Sequence, residues 1–151
     1  MAYRTADQTR WKQLDFVVGY EVHLSHNPTT MKNGKRVRFV DVCDFLEGKY
    51  PKDFKFVGWH PQCRCYTTPI LSTDAEFVEN ERAYLYGEDE LSEPSVNTVT
   101  DAPKNFYDWV SENKERLSHS KSLPYFVRDN KDYFKSVTFS KSVTSQFRES
   151  K

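Results

Sequence analysis

Four residues of the kinds that hold soft metal ions fall in two short stretches of the chain. His60, Cys63 and Cys65 lie within Trp59-His60-Pro61-Gln62-Cys63-Arg64-Cys65-Tyr66, and Cys43 lies within Asp41-Val42-Cys43-Asp44. Imidazole nitrogen and thiolate sulfur are ligands that Zn²⁺ prefers, and a His-x-x-Cys-x-Cys run can present three of them from one bend. Pro61 fixes its own φ and disfavours helical geometry at His60, which predicts a rigid turn entering a strand. Cys63 and Cys65 stand two apart and so share a strand face. Cys43 is the candidate fourth ligand, with His26, Asp41 and Asp44 as substitutes. The competing reading makes Cys63 and Cys65 small core residues and His60 a hydrogen-bonded loop residue. Four protein ligands leave no open position for water, so the expected role is structural, a clip joining residues 41–48 to residues 60–65. A catalytic metal would need an open position and a base, and the sequence has no His-Glu-x-x-His spacing, Gly-rich phosphate loop or nucleophile elbow. No catalytic residue is assigned.

The chain that must position these residues has 151 amino acids, one domain's worth or a domain with an appendage. Hydrophobic residues make up 37% and aromatic residues 15%, which predicts a small core built from Phe, Tyr and Trp with polar flanks. Lys plus Arg equals Asp plus Glu at 22 each, so no global field attracts nucleic acid or an anionic membrane, and any such contact must be local. Three cysteines, two of them separated by one residue, do not suggest the paired framework of a small secreted domain. The first ten residues are polar and no apolar run approaches a membrane span, so a soluble protein made in a reducing cytoplasm is expected.

The elements read as follows. Residues 3–14 carry Tyr3, Trp11 and Leu14 among charges and predict a helix, with Arg4 and Asp7 as an exposed i,i+3 ion pair. Residues 16–24 are rich in β-branched and aromatic side chains and predict a strand with Tyr20, Val22 and Leu24 on one face. If that strand ran straight, His23 and His26 would face opposite ways, so at most one could reach a metal. Asn33-Gly34 predicts a tight hairpin turn, with residues 36–40 returning as a strand. Asp41 caps a short helix ended by Gly48, residues 49–58 form an extended loop pinned by aromatics, and residues 64–71 form a strand closed by Pro69.

Beyond residue 71 the character changes. Thr73 and Glu76 form a capping box for a helix reaching about Tyr86. From residue 74 to residue 101 nine acidic residues face a single basic one, Arg82, and residues 87–100 have linker composition. Phe106, Trp109, Val110 and Leu117 mark an amphipathic helix introduced by Asp101 and Pro103. The organisation expected is a core over residues 1–72, a helix and acidic linker over 73–102, a helical appendage over 103–130, and a polar, flexible tail over 131–151. The fold class is α+β: a small mixed domain with an N-terminal helix, a short antiparallel sheet and a Cys/His-rich turn, followed by helices.

These pieces together resemble the phage Mu F-like head morphogenesis family, the minor capsid proteins of tailed phages and their prophage relatives. The resemblance rests on Arg4-Thr5-Ala6-Asp7 followed by Trp11, which is similar to the family's Arg-Thr-Glu helix. It rests also on Asp41-Val42-Cys43-Asp44 with Leu46 and Gly48, and on His60-Pro61-Gln62-Cys63-Arg64-Cys65 leading to Pro69. Residues 48–56, Asn105, Phe106 and Trp109, and Ser122-Leu123-Pro124-Tyr125-Phe126 resemble minor head proteins of Bacteroidetes phages. The match runs over residues 4–71 and, more softly, to residue 130. Asp stands at position 7 in place of Glu, Cys43 stands alone where many members carry Cys-x-x-Cys, and the longer helical region preceding the Arg-Thr-Glu helix has no counterpart. The resemblance therefore implies a member truncated at its N-terminal side.

It further implies a minor head protein with a structural zinc, acting on portal, capsid or internal virion proteins and packaged DNA, located in the virion or in the host cytoplasm during assembly. Family members are often fused to effector enzymes, so a nuclease or an ADP-ribosyltransferase is the rival, for which His119, Lys121 and Arg128 would be the residues of a nuclease. A nucleic-acid-binding zinc module using Lys32, Lys35, Arg36, Arg38 and Arg64 is the third reading.

Overall fold

The computed structural model describes residues 2–25, 29–87 and 93–134. Helix α1 (Ala2–Lys12) leads into strand β1 (Val17–His23), the centre of a three-stranded antiparallel sheet in the order β4-β1-β5. A separate ribbon of β2 (Thr29–Lys32) and β3 (Lys35–Arg38) follows β1. Asn33 and Gly34 link these strands with φ of 52° and 73°, the two positive values that a type I′ turn requires. The α+β architecture expected from the sequence is the one found.

Helix α2 (Val42–Phe45) starts at Asp41 through a capping box: the Asp41 side chain accepts from the Cys43 N–H, and Asp44 accepts from the Asp41 N–H. The helix ends at Leu46, not at Gly48. Gly48 instead opens strand β4 (Gly48–Tyr50), which the sequence reading took as loop; at φ of 144° an L side chain is disfavoured, and a Cβ there would come within 3.2 Å of Pro103. Strand β5 (Tyr66–Leu71) runs through Pro69 without ending there, because β5 is an edge strand and the missing N–H can face outward. Tyr20 of β1 stands opposite both Tyr50 and Pro69.

Helix α3 (Asp74–Tyr86) carries the expected Thr73/Glu76 capping box and ends on Gly87 in the left-handed region. The later helix is broken: α4 (Lys104–Glu112) and α5 (Lys114–Ser118) meet at Asn113, whose side chain donates to the Trp109 carbonyl. Helix α6 (Tyr125–Asp129) and a 3₁₀ turn (Lys131–Phe134) complete the described chain.

One aromatic core joins these parts. Tyr50 lies at its centre, with ring centroids 4.6 Å from Phe54, 5.5 Å from Trp59 and 5.8 Å from Phe106. Pairs at these separations add to simple burial because ring edges meet ring faces. Phe106, Trp109, Val110, Leu117, Phe126 and Phe134 belong to the same buried cluster as Tyr20, Val22 and Phe54. Residues 103–134 thus bury their apolar faces against the sheet and the loop of residues 51–65, and share a core with residues 1–72. Of the expected polar tail, Lys131–Phe134 packs through Phe134, and residues 135–151 lie outside the described residues.

Two outcomes follow from this packing. Phe106 has no exposed surface, and Phe106→Ala is expected to cost about 3–5 kcal/mol. Urea unfolding should show one transition moved to lower denaturant, with tryptophan fluorescence and far-UV dichroism coincident. Two separated transitions would mean that the C-terminal helices fold apart from the sheet. Glu76 is held down to about 2 by hydrogen bonds from Ser95, from the Val96 N–H and from the Thr73 N–H. Its folded value lies below its ordinary 4.5, so its stabilising contribution is complete above that value and is lost as pH falls from about 4.5 towards 2. Protection of the α3 amides, taken relative to the intrinsic exchange rate at each pH, should fall over that window, and Glu76→Gln should abolish this fall.

Candidate metal centre

The turn expected at Pro61 is present. The Cys63 N–H donates to the His60 carbonyl at 3.1 Å, with Pro61 at the second position and Gln62 at φ of 62° in the third, the signature of a type II turn. It brings His60 and Cys63 to the same side. Cys63 and Cys65 are buried and Arg64 is exposed between them, so the alternation anticipated from their spacing holds just before β5 begins.

Helix α2 supplies the facing group. Cys43 Sγ lies 3.1 Å from His60 Nε2 and 3.7 Å from Cys63 Sγ. The ligand atoms of Cys43, His60 and Cys63 all fall within 4.8 Å of one another, so these three residues can hold a metal ion. The Cys65 thiol is buried and interacts with both of the other thiols, but it is not one of the three residues whose ligand atoms lie within 4.8 Å of one another. His60 is oriented for ligation: Nδ1 meets the Pro61 carbonyl at 2.6 Å, which places the ring proton there and leaves the Nε2 lone pair aimed at the sulfurs.

The electrostatics of the group favour a cation. Cys63 is pushed far below an ordinary thiol by hydrogen bonds from Cys43 and Cys65, helped by the backbone N–H groups of Trp59 and Cys65. Cys43 is pushed strongly up by its hydrogen bonds to Cys63 and Cys65 and by burial. At Cys65 the bond with Cys43 lowers the value, while the bond with Cys63 and burial raise it, to about 12. The shifts run in opposite directions because a second thiolate would face the first across a few ångströms of poorly solvated space. A divalent ion removes that repulsion and lets all three ionise.

The other residues considered as ligands are placed differently. Asp41 Oδ2 lies 3.2 Å from His60 Nε2, while its Oδ1 caps α2, so Asp41 touches the group. Asp44 is occupied by the Asp41 N–H and by Arg38. His23 turns to Thr68 Oγ1 at 2.8 Å and stacks on Tyr66. His26 lies outside the described residues. Of the residues considered for a nuclease, His119 bonds the Glu115 carbonyl at the end of α5 and Arg128 pairs with Asp129. Lys121 sits in the bend between α5 and α6.

Arg4 is the residue whose part composition did not reveal. It is 2% exposed and forms no ion pair with Asp7; it donates to the Val57 carbonyl at 3.0 Å and to the Cys63 carbonyl at 2.6 Å. No carboxylate lies against it among the described hydrogen bonds and ion pairs; its charge rests against the two carbonyl dipoles and the rings of Tyr3 and Phe56, whose centroids are 5.3 and 5.6 Å away. Gly58 makes room for it, since a Cβ at that position would sit 3.1 Å from both Arg4 Nη1 and Cys63 Cβ. The only sequence signal for Arg4 was the resemblance of its helix to the Arg-Thr-Glu helix.

His60 keeps a third of its side chain exposed and lines an open groove of about 790 Å³ with Arg38, Arg64 and Arg116, which gives an ion a path in. No family model, no curated protein and no solved structure matches this chain. What the site can do is therefore argued from its own donor set. No described helix is long and apolar enough to cross a membrane.

Arg4→Met keeps the apolar stem but strips the donors from two buried carbonyls, and is expected to cost about 1–3 kcal/mol for each carbonyl left unpaired. Thermal unfolding of the variant should fall well below that of an Asp7→Asn control. An unchanged midpoint would show that the buried guanidinium does not hold the turn.

Proposed function

We propose that this chain is a structural protein whose Cys43, His60, Cys63 and Cys65 hold a structural zinc ion, and that it acts as a minor head protein in the morphogenesis of a tailed phage or prophage. The observation that carries the reading is a convergence. The three separated motifs on which the resemblance rests, around Arg4, Cys43 and His60 to Cys65, form one contiguous unit: Arg4 donates to the Cys63 carbonyl while Cys43 meets His60 and Cys63. That three stretches so far apart in sequence meet at one site supports the reading.

Zinc suits this donor set better than the harder cations, which favour oxygen ligands. Three thiolates and one imidazole around Zn²⁺ carry a net charge of −1, which the buried Arg4 offsets. Four protein ligands close the coordination shell, and the ion then ties α2 to the turn before β5, at the edge of a core in which aromatic side chains outnumber aliphatic ones. Its partners would be portal, capsid or internal virion proteins, and its location the virion or the host cytoplasm during assembly.

Purified protein is expected to carry one equivalent of zinc, to lose it as pH falls and protons return to the ligands, and to unfold at lower temperature in chelator. Cys63→Ser should lose both the metal and the chelator sensitivity. Absence of bound metal with unchanged stability in Cys63→Ser would overturn the zinc staple. Detection of the protein at a few copies in purified particles, with assembly failing without it, tests the head role; a protein missing from particles and dispensable for assembly defeats it.

A further inference from the structure

The β2–β3 ribbon is unlike the rest of the molecule. Seven of its eight strand residues are exposed, and it forms a sheet of its own, so its side chains are not chosen to pack a core. A lone two-stranded ribbon is marginal in water. Yet this one concentrates charge of one sign: residues 22–40 contain no Asp or Glu but hold Lys32, Lys35, Arg36 and Arg38. The register sets Lys32 directly opposite Lys35, a like-charged pair that opposes strand pairing. Arg38 pairs with Asp44, and Lys32, Lys35 and Arg36 make no ion pair with a described residue. In a chain of zero net charge this is a local basic finger of which the described residues neutralise only Arg38.

We propose that the β2–β3 ribbon docks in the major groove of duplex DNA and binds its phosphate backbone without reading sequence. Directly opposed residues share a face, so Lys32 and Lys35 lie on the face of Thr30 and Val37, while Arg36 and Arg38 lie on the face of Thr29 and Met31. Cations therefore project from both faces. A flat acidic protein surface would engage one face, whereas a groove about 12 Å wide admits a two-stranded ribbon and offers phosphates on both walls. The hydroxyls of Thr29 and Thr30 can add neutral bonds to phosphate oxygens. Arg64 and Arg116 line the adjoining groove on the body of the protein and extend the positive surface from the ribbon's base. This inference rests on the ribbon alone and stands or falls independently of the zinc and of the head role.

The test is retention of a labelled, random-sequence duplex by the full chain across a salt series. Three free cations predict a slope of log affinity against log salt of about −3, hence roughly a 40-fold loss between 50 and 200 mM. The triple variant Lys32→Gln, Lys35→Gln, Arg36→Gln should reduce binding at 50 mM salt at least tenfold while keeping the parent's metal content and unfolding temperature. No retention of the duplex at 50 mM salt would overturn the proposal, as would equal binding by the parent and the triple variant. Displacement of the duplex by an equal charge concentration of poly-glutamate would also overturn it, and would assign the ribbon to an acidic protein partner.

Discussion

The structure depends on satisfying the backbone of a buried segment that has no secondary structure of its own. Residues 51–65 carry three of the four candidate ligands together with the buried Phe54, Phe56, Trp59, Cys63 and Cys65, so the peptide groups beside these side chains are shielded from water. No strand pairs with them, and side chains reach in from elsewhere. The Tyr20 hydroxyl donates to the Phe54 carbonyl, and Gln8 accepts from the Phe56 N–H. Asn130 accepts from the Lys55 N–H and donates to the Lys55 carbonyl, and Arg4 takes the carbonyls of Val57 and Cys63. These partners come from α1, β1 and the end of α6, so both ends of the chain are needed to hold its middle. These bonds favour one conformation, because a shift of the segment would orphan several of them together, although Arg4 Nε, Gln8 Nε2 and Trp59 Nε1 are themselves buried without a protein partner.

That constraint explains what a metal ion held by Cys43, His60 and Cys63 would add at the edge of this core. The aromatic rings fill space but leave the turn at residues 60–63 and helix α2 joined by little more than the thiols and His60. Helix α2 has a single turn and one fully sheltered contact, Cys43. Its capping box specifies where it starts, but a helix this short gains almost nothing from its own hydrogen bonds. Linking Cys43 to His60 and Cys63 converts a weak local element into part of the core. Arg4 strengthens the same junction from the opposite side, because its guanidinium grips the carbonyl of the residue whose sulfur faces Cys43. The Cys/His group and the buried guanidinium thus hold the same turn from its side chains and from its backbone.

Much of this was legible in the sequence where the signal is local. The Asn33-Gly34 turn, the caps at Asp41 and Thr73, the helix end near Tyr86 and the bend at Pro61 depend on residues within a turn of one another, and they appear where the sequence places them. The gathering of Cys43, His60 and Cys63 was legible as a donor set with a shared bend. What failed to show is what only tertiary partners decide. Gly48 has the composition of a helix stop, and it starts a strand because β1 offers an edge there and Pro103 leaves no space for a side chain. Pro69 is the expected end of a strand, and it lies inside β5 because nothing pairs on its outer side. Arg4 and Asp7 have the spacing of a surface pair, and the fold instead draws Arg4 inward to carbonyls more than fifty residues away. Hydrophobic pattern marked Phe106 and Trp109 as one side of a helix without saying that this side meets the sheet.

The position of the basic ribbon follows from the same anchoring. It departs from β1, the central strand, and returns to α2, which the Cys/His group fastens. Both ends of the insertion are therefore held by parts of the core, and the ribbon itself contributes no side chain to the buried cluster. An insertion held at its ends and free of packing duty can take any exposed composition at small cost to the fold. Charges of one sign, even a lysine facing a lysine, are tolerated there because stability resides elsewhere. The price is confined to the ribbon's own pairing, and a groove lined with phosphates would return it by neutralising the repulsion that weakens the ribbon in the free protein.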